Sequence, residues 1–149
     1  SSPESLQRLK LASAILYALP GTPMFFQGEE CGFNGQVGQW PINELYRAPM
    51  QWERCNQDVL KHYQLLGKLR KENRVIASSL FRTYSGDGPL LAFLRGETGQ
   101  GELLAAFNNS TEAATLKLPE GTWRDLVEGK DYSSDVALSA ISWRYLQRR

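Results

Sequence analysis

Histidine, cysteine and methionine are scarce in this chain: one, two and two among 149 residues. A zinc site built on Cys and His would need carboxylates to complete it. Charge of one sign is also missing, since seventeen Lys and Arg face sixteen Asp and Glu for a net +1. So even a balance leaves no electrostatic footprint for nucleic acid or an anionic membrane surface. No apolar run approaches the roughly 18 residues that a membrane-spanning helix needs. The opening SSPESLQRLK has no basic region followed by an apolar core, so no signal peptide is visible and the compartment stays open. Cys31 and Cys55 read as two free thiols, with a disulfide as the alternative if the protein is exported. What is present, 42% hydrophobic and 22% charged residues without repeats or low-complexity tracts, is the composition of one globular domain or two small ones.

The apolar spacing is helical before about residue 75 and strand-like after it. Residues 3–19 predict a helix capped by Ser2, with Pro3 in its first turn and Glu4 near the positive end of its dipole. Its apolar surface is wider than one stripe, which predicts burial between a sheet and something else. Pro20-Gly21 ends it, and Pro23–Gln27 reads as a short strand buried on both faces. Residues 31–54 are loop-like. A second helix is expected over 57–73 behind an Asn56 cap, with Lys61, Lys68, Arg70 and Lys71 forming a solvated face. From Val75 onward, six strands are expected at 79–84, 90–95, 102–108, 113–118, 122–127 and 138–146. Their spacing and turn clusters predict an antiparallel β-sandwich. The runs at 90–94 and 103–107 suit central strands, while Thr115–Leu118 alternates and should be half exposed.

The strand at 23–27 poses a difficulty. A strand buried on both faces needs neighbours for its N–H and C=O groups, and nothing else in the first 75 residues supplies one. Either its sheet belongs to more of the same protein, or the strand pairs with a second chain.

Three segments bear on this. Leu19–Phe33 (LPGTPMFFQGEECGF), Arg47–Trp52 (RAPMQW) and His62–Asn73 (HYQLLGKLRKEN) resemble, in order and spacing, conserved elements of the α-amylase family, glycoside hydrolase family thirteen. The resemblance is close to about residue 74 and looser over the β region. It implies an α/β plus all-β protein: the last helix–strand–helix of a (β/α)8 TIM barrel over 1–75, then a C-terminal antiparallel β-sandwich domain over 76–149. It further implies the C-terminal part of a retaining hydrolase of α-glucan or malto-oligosaccharides. The missing N-terminal barrel segment would then be a partner, and neither nucleic acid nor membrane would be.

Retention needs a nucleophilic carboxylate and an acid about 5–5.5 Å apart. In the family, both groups and a third Asp sit on strands four, five and seven, which precede this chain, so no catalytic residue, metal site or cofactor is expected here; family members often bind Ca2+ elsewhere. The expected substrate-binding residues are Arg47, Glu29 and Trp52. Arg47 offers a rigid fork of donors for sugar hydroxyls, or instead braces its loop through Glu29 or Glu44. Glu29-Glu30 lies where a barrel strand would end, and is read as structural or at the edge of the site, because neighbours on an extended chain point apart. Trp52 and Trp40 could stack on a pyranose, packing being the better reading for Trp52 and Trp40 left open; Trp123 and Trp143 could also stack, with core packing the better reading for both. His62 is expected to be a partly exposed helix residue. The alternative function is a non-catalytic carbohydrate-binding or assembly module.

Overall fold

The computed structural model describes residues 2–33, 49–86 and 88–149. Helix α1 runs Pro3–Ala18; the Ser2 hydroxyl accepts from the Ser5 N–H at 3.1 Å, and Glu4 lies in the first turn. Helix α2 runs Gln57–Glu72; the Asn56 side chain accepts from the N–H groups of Asp58 and Val59 at 3.0 and 3.2 Å. Both caps satisfy donors that a helix start leaves without an internal acceptor.

The strands are β1 Phe81–Ser85, β2 Leu90–Arg95, β3 Leu103–Asn108, β4 Ala114–Lys117, β5 Trp123–Asp125, β6 Asp131–Tyr132, β7 Asp135–Leu138 and β8 Ser142–Arg148. Six of them form an antiparallel sheet in the order β1-β2-β3-β8-β5-β6, and β4 pairs with β7 as a second sheet. At its centre, Ala105 of β3 stands opposite Phe93 of β2 and Tyr145 of β8.

Period-two alternation splits the core in two. Phe93, Leu103, Ala105, Phe107 and Tyr145 face one side of the large sheet, where they pack on Leu11, Ala14, Tyr17, Tyr63 and Leu66 of the helices. Ala92, Leu94, Leu104, Ala106 and Leu146 face the other side, against Leu116, Leu118, Val136 and Leu138 at the small sheet, with Trp123 among them. The apolar run of β3 therefore reflects helices on one face and a second sheet on the other. Residues 115–118 alternate exposed and buried as expected. The result is an all-β domain with two helices laid on its large sheet.

The expectations fail at three places. Residues 22–26 take no regular structure and join neither sheet; Met24 is 85% and Phe26 54% exposed rather than buried on both faces. A parallel strand exists only through its neighbours, and none is present beside this segment among the described residues. The strand expected at 138–146 is two strands, β7 and β8, parted at 139–141. There Ile141 takes a positive φ of 43° and its N–H donates to the Ser110 carbonyl at 2.9 Å. No Gly or Pro marks that turn; a distant carbonyl holds it. In the basic run of α2, Lys61, Lys68 and Lys71 are solvated, but Arg70 is half-buried.

Arg70 is used at the C-terminal end of α1, which carries no basic residue of its own in its last turn. Arg70 Nη1 donates to the Tyr17 carbonyl at 2.5 Å, and Nη2 to that of Gly21. Arg95, fully buried on β2, donates to the carbonyls of Ala18, Ser78 and Leu80. The Tyr145 hydroxyl donates to the Ala14 carbonyl at 2.5 Å. Helices leave their last carbonyls without internal donors, and their C-terminal ends attract cations. Burial, and then the neighbouring Arg70, lower the Arg95 pKa from its ordinary value.

Replacing Arg95 by Met keeps the bulk of the side chain but strips donors from three carbonyls. The cost is about 3 kcal/mol, a fall in melting temperature of roughly 10 °C for a chain of this size. Thermal denaturation of Arg95→Met beside the wild type checks this; an unchanged midpoint would show that the three bonds contribute nothing.

Candidate functional site

The candidate site gathers at the N-terminal end of α2. Gly28 (φ 92°) and Gly32 (φ 68°) bracket a 3-10 turn over Glu29–Cys31. Left-handed backbone at both positions favours glycine, and a Cβ on Gly28 would lie 2.9 Å from the Phe33 ring. The Gly28 N–H donates to Glu30 Oε2 at 2.9 Å, so the Glu30 carboxylate is committed to closing its own turn. The pair sits on a turn, not on the extended chain assumed from sequence, and this hydrogen bond is what separates the roles of Glu29 and Glu30.

A second 3-10 turn, Trp52–Arg54, ends immediately before Cys55. Cys31 and Cys55 form a disulfide with their Cα atoms 4.5 Å apart, which corrects the expectation of two free thiols. The Asn56 N–H donates to the Cys31 carbonyl at 3.1 Å, so the residue that caps α2 also holds the first turn. Spacing alone does not announce such a pair; the fold brings it together.

Glu29 is half-buried and Trp52 is 64% exposed, so the two turns present a carboxylate and an indole. Burial, and then the Glu29 charge, push the Tyr63 phenol up to about 12. Arg47, Trp40 and Glu44 lie outside the described residues, though their segment belongs to the loop that the disulfide closes. Glu29 and Trp52 can accept a hydrogen bond and offer a stacking face to a polyol, but one carboxylate cannot supply both an acid and a nucleophile. Among the described residues no group of three or more His, Cys, Asp or Glu could hold a metal ion, and no helix there is long and apolar enough to cross a membrane.

His62 corrects the expectation of partial exposure. It is buried, with Nε2 at 2.9 Å from the Lys10 carbonyl and 3.0 Å from the Ser13 hydroxyl. Burial lowers its pKa to about 4 from the usual 6.5. Trp123 is fully buried and donates to the Pro119 carbonyl at 2.9 Å. Trp143 is half-buried against Tyr145 and His62, with ring centres 4.7 and 5.7 Å away.

Residues 85–140 match the family model of the alpha amylase C-terminal all-beta domain. Beyond them, the likeness takes in the two helices: the type III pullulan hydrolase from Thermococcus kodakarensis superposes on 99% of this chain with a TM-score of 0.85 and 42% identity. The chain belongs to the α-amylase family. The "Alpha-amylase 2" of Dictyoglomus thermophilum is 27% identical over 146 residues, which is 94% of this chain and 25% of the relative. A pullulanase from an Anoxybacillus species, solved with maltotriose, shares the fold at a TM-score of 0.83 and 17% identity over 100% of this chain. The chain covers 24% of each of those two solved chains, and so spans about a quarter of the length of the relatives it matches.

Two outcomes follow for this α-amylase-family chain. Reducing the disulfide, or replacing both cysteines by Ser, removes a constraint on a loop of some two dozen residues and costs about 3 kcal/mol; thermal melts with and without dithiothreitol check it. His62 has a folded pKa below its unfolded one, so its contribution is fully present above pH 6.5 and lost as pH falls toward 4. That loss is about 3 kcal/mol, and His62→Gln should flatten this part of the stability–pH profile measured by urea denaturation.

Proposed function

We propose that the chain works within an α-amylase-type glycoside hydrolase acting on α-glucans or malto-oligosaccharides with retention of configuration. Residues 1–75 are its closing barrel unit, with α1 and α2 flanking an inner strand at 23–27, and residues 76–149 are the β-domain that covers those helices. The observation that carries this reading is the seating of Phe25 across both helices. Its ring packs on Tyr17 and Tyr63 at 6.3 and 5.1 Å and is 39% exposed, against 85% for Met24 and 54% for Phe26. A closing barrel strand would lie across its two helices in this way. The names of the relatives, an amylase and a pullulan hydrolase, support the same substrate class.

The site residues of this reading are Glu29, Trp52 and Arg47. They bind and orient sugar at the end of the closing strand, where barrel loops collect. Arg47 donates to sugar hydroxyls, Trp52 stacks on a pyranose face, and Glu29 accepts from a hydroxyl or braces Arg47. The acid and the nucleophile belong to barrel strands outside these 149 residues, and this segment needs no cofactor.

Two measurements test it. The 149-residue chain should turn over neither a malto-oligosaccharide nor a chromogenic α-glucoside; turnover above background would sink the assignment of the carboxyls to other strands. In the protein extended upstream through its other barrel strands, Arg47→Ala should raise KM for maltotriose by about tenfold, the loss of one or two charge-assisted hydrogen bonds. An unchanged KM would remove Arg47 from the site.

A further inference from the structure

The disulfide joins two turns that are held in different ways. The Glu29–Cys31 turn is seated. Cys31 is 1% exposed, its carbonyl accepts from the Asn56 N–H at 3.1 Å, and a Cβ on Gly32 would meet Leu6 of α1 and Val59 of α2 at 3.2 and 3.4 Å. The Trp52–Arg54 turn has no such seat. Gln51, Trp52, Glu53 and Arg54 are all exposed. The hydrogen bonds of this turn among the described residues are its own. The Arg54 N–H and guanidinium donate to the Gln51 carbonyl and side chain at 2.9 and 2.7 Å, and the Cys55 N–H to the Trp52 carbonyl at 3.2 Å. Among the described residues no hydrogen bond or ion pair ties Gln51–Arg54 to the seated turn. The cross-link between the two is the Cys31–Cys55 bond.

We infer that the Cys31–Cys55 disulfide positions Trp52 for sugar, so that the affinity of this site for a malto-oligosaccharide follows the redox state of the pair. The inference rests on the glucan reading of the site and adds what holds the site and what releases it. An exposed indole on an untethered turn must be ordered when the sugar arrives, and that ordering is subtracted from the binding energy. A cross-link removes the freedom beforehand. It acts at short range here: Trp52 is three residues from Cys55, and Glu29 two from Cys31. The layers of the fold do not rely on it. Helices and sheet already meet through Arg70, Arg95, Tyr145 and the core between them. Reduction by a dithiol breaks the S–S bond, leaves each cysteine a thiol, and closes the dithiol to its own cyclic disulfide. The Glu29 turn then keeps its seat through Gly32 and Asn56, while the Trp52 turn loses its tether. Reduction therefore weakens what Trp52 contributes and spares the bond-breaking step, whose carboxyls belong to other strands under the same reading.

The test uses the protein extended upstream through its other barrel strands, well below the melting temperature of its reduced form. KM and kcat for maltotriose are measured before and after dithiothreitol, with free thiols counted, and in a double variant carrying Cys31→Ser and Cys55→Ser. In the reduced protein and in the double variant, KM should rise about five- to tenfold while kcat stays within about twofold. Reoxidation should restore KM in the wild type and leave the variant unchanged. Trp52→Ala gives a second readout. It should raise KM severalfold in the oxidised protein but less than about twofold in the reduced one, because both changes remove the same contribution. A fall in kcat at constant KM, as a shrinking folded fraction gives, overturns the inference, and so does full additivity of Trp52→Ala with reduction. A KM unmoved by reduction but raised by Trp52→Ala would make the disulfide a brace only and leave the glucan reading standing. An oxidised protein that does not turn over maltotriose would reject both.

Discussion

The C-terminal end of α1 is the joint on which the rest of the molecule depends. Its carbonyls at Ala14, Tyr17 and Ala18 meet a phenol from β8, a guanidinium from α2 and a guanidinium from β2. Three elements far apart in sequence therefore converge on one helix end. Two cations at the negative pole of a helix are favourable where one element could not supply them, and burying Arg95 is tolerated because nearby carbonyls accept its donors. Arg95 also reaches Ser78 and Leu80, so the same residue fixes how the chain leaves α2 and enters β1.

That joint puts the helices on one face of an antiparallel sheet whose other face is closed by β4 and β7. Leu104 and Ala105 of β3 consequently serve different cores, although they are adjacent. On their far side, α1 and α2 offer Tyr17 and Tyr63 to Phe25. α1 thus meets Phe25 as well as the sheet, in keeping with an apolar surface wider than one stripe.

Much of this was legible. Ser2, Pro3 and Asn56 announce their helices by local chemistry, and both helices begin where those residues set them. Thr115–Leu118 announces a half-buried strand by alternation, and the motifs around Glu29 and Trp52 point to the family without any coordinates. The turn at 139–141 was not legible, because Ile141 is held there by Ser110 and not by its own propensity. Nor was Arg95 distinguishable from an exposed arginine at a strand end, since its partners are backbone carbonyls, which carry no sequence signature. At the candidate site, Glu29 and Glu30 look alike in sequence; only the bond from the Gly28 N–H to Glu30 tells them apart.

The sequence by itself determined the helices, the run of strands and the family, because caps, periodicity and short motifs act over a few neighbouring residues. The tertiary structure alone decided the Cys31–Cys55 bond, the burial of His62, the cation-capped end of α1 and the two-sided sheet. Each depends on groups tens of residues apart meeting within a few ångströms, and such encounters are fixed by how layers pack rather than by any local preference.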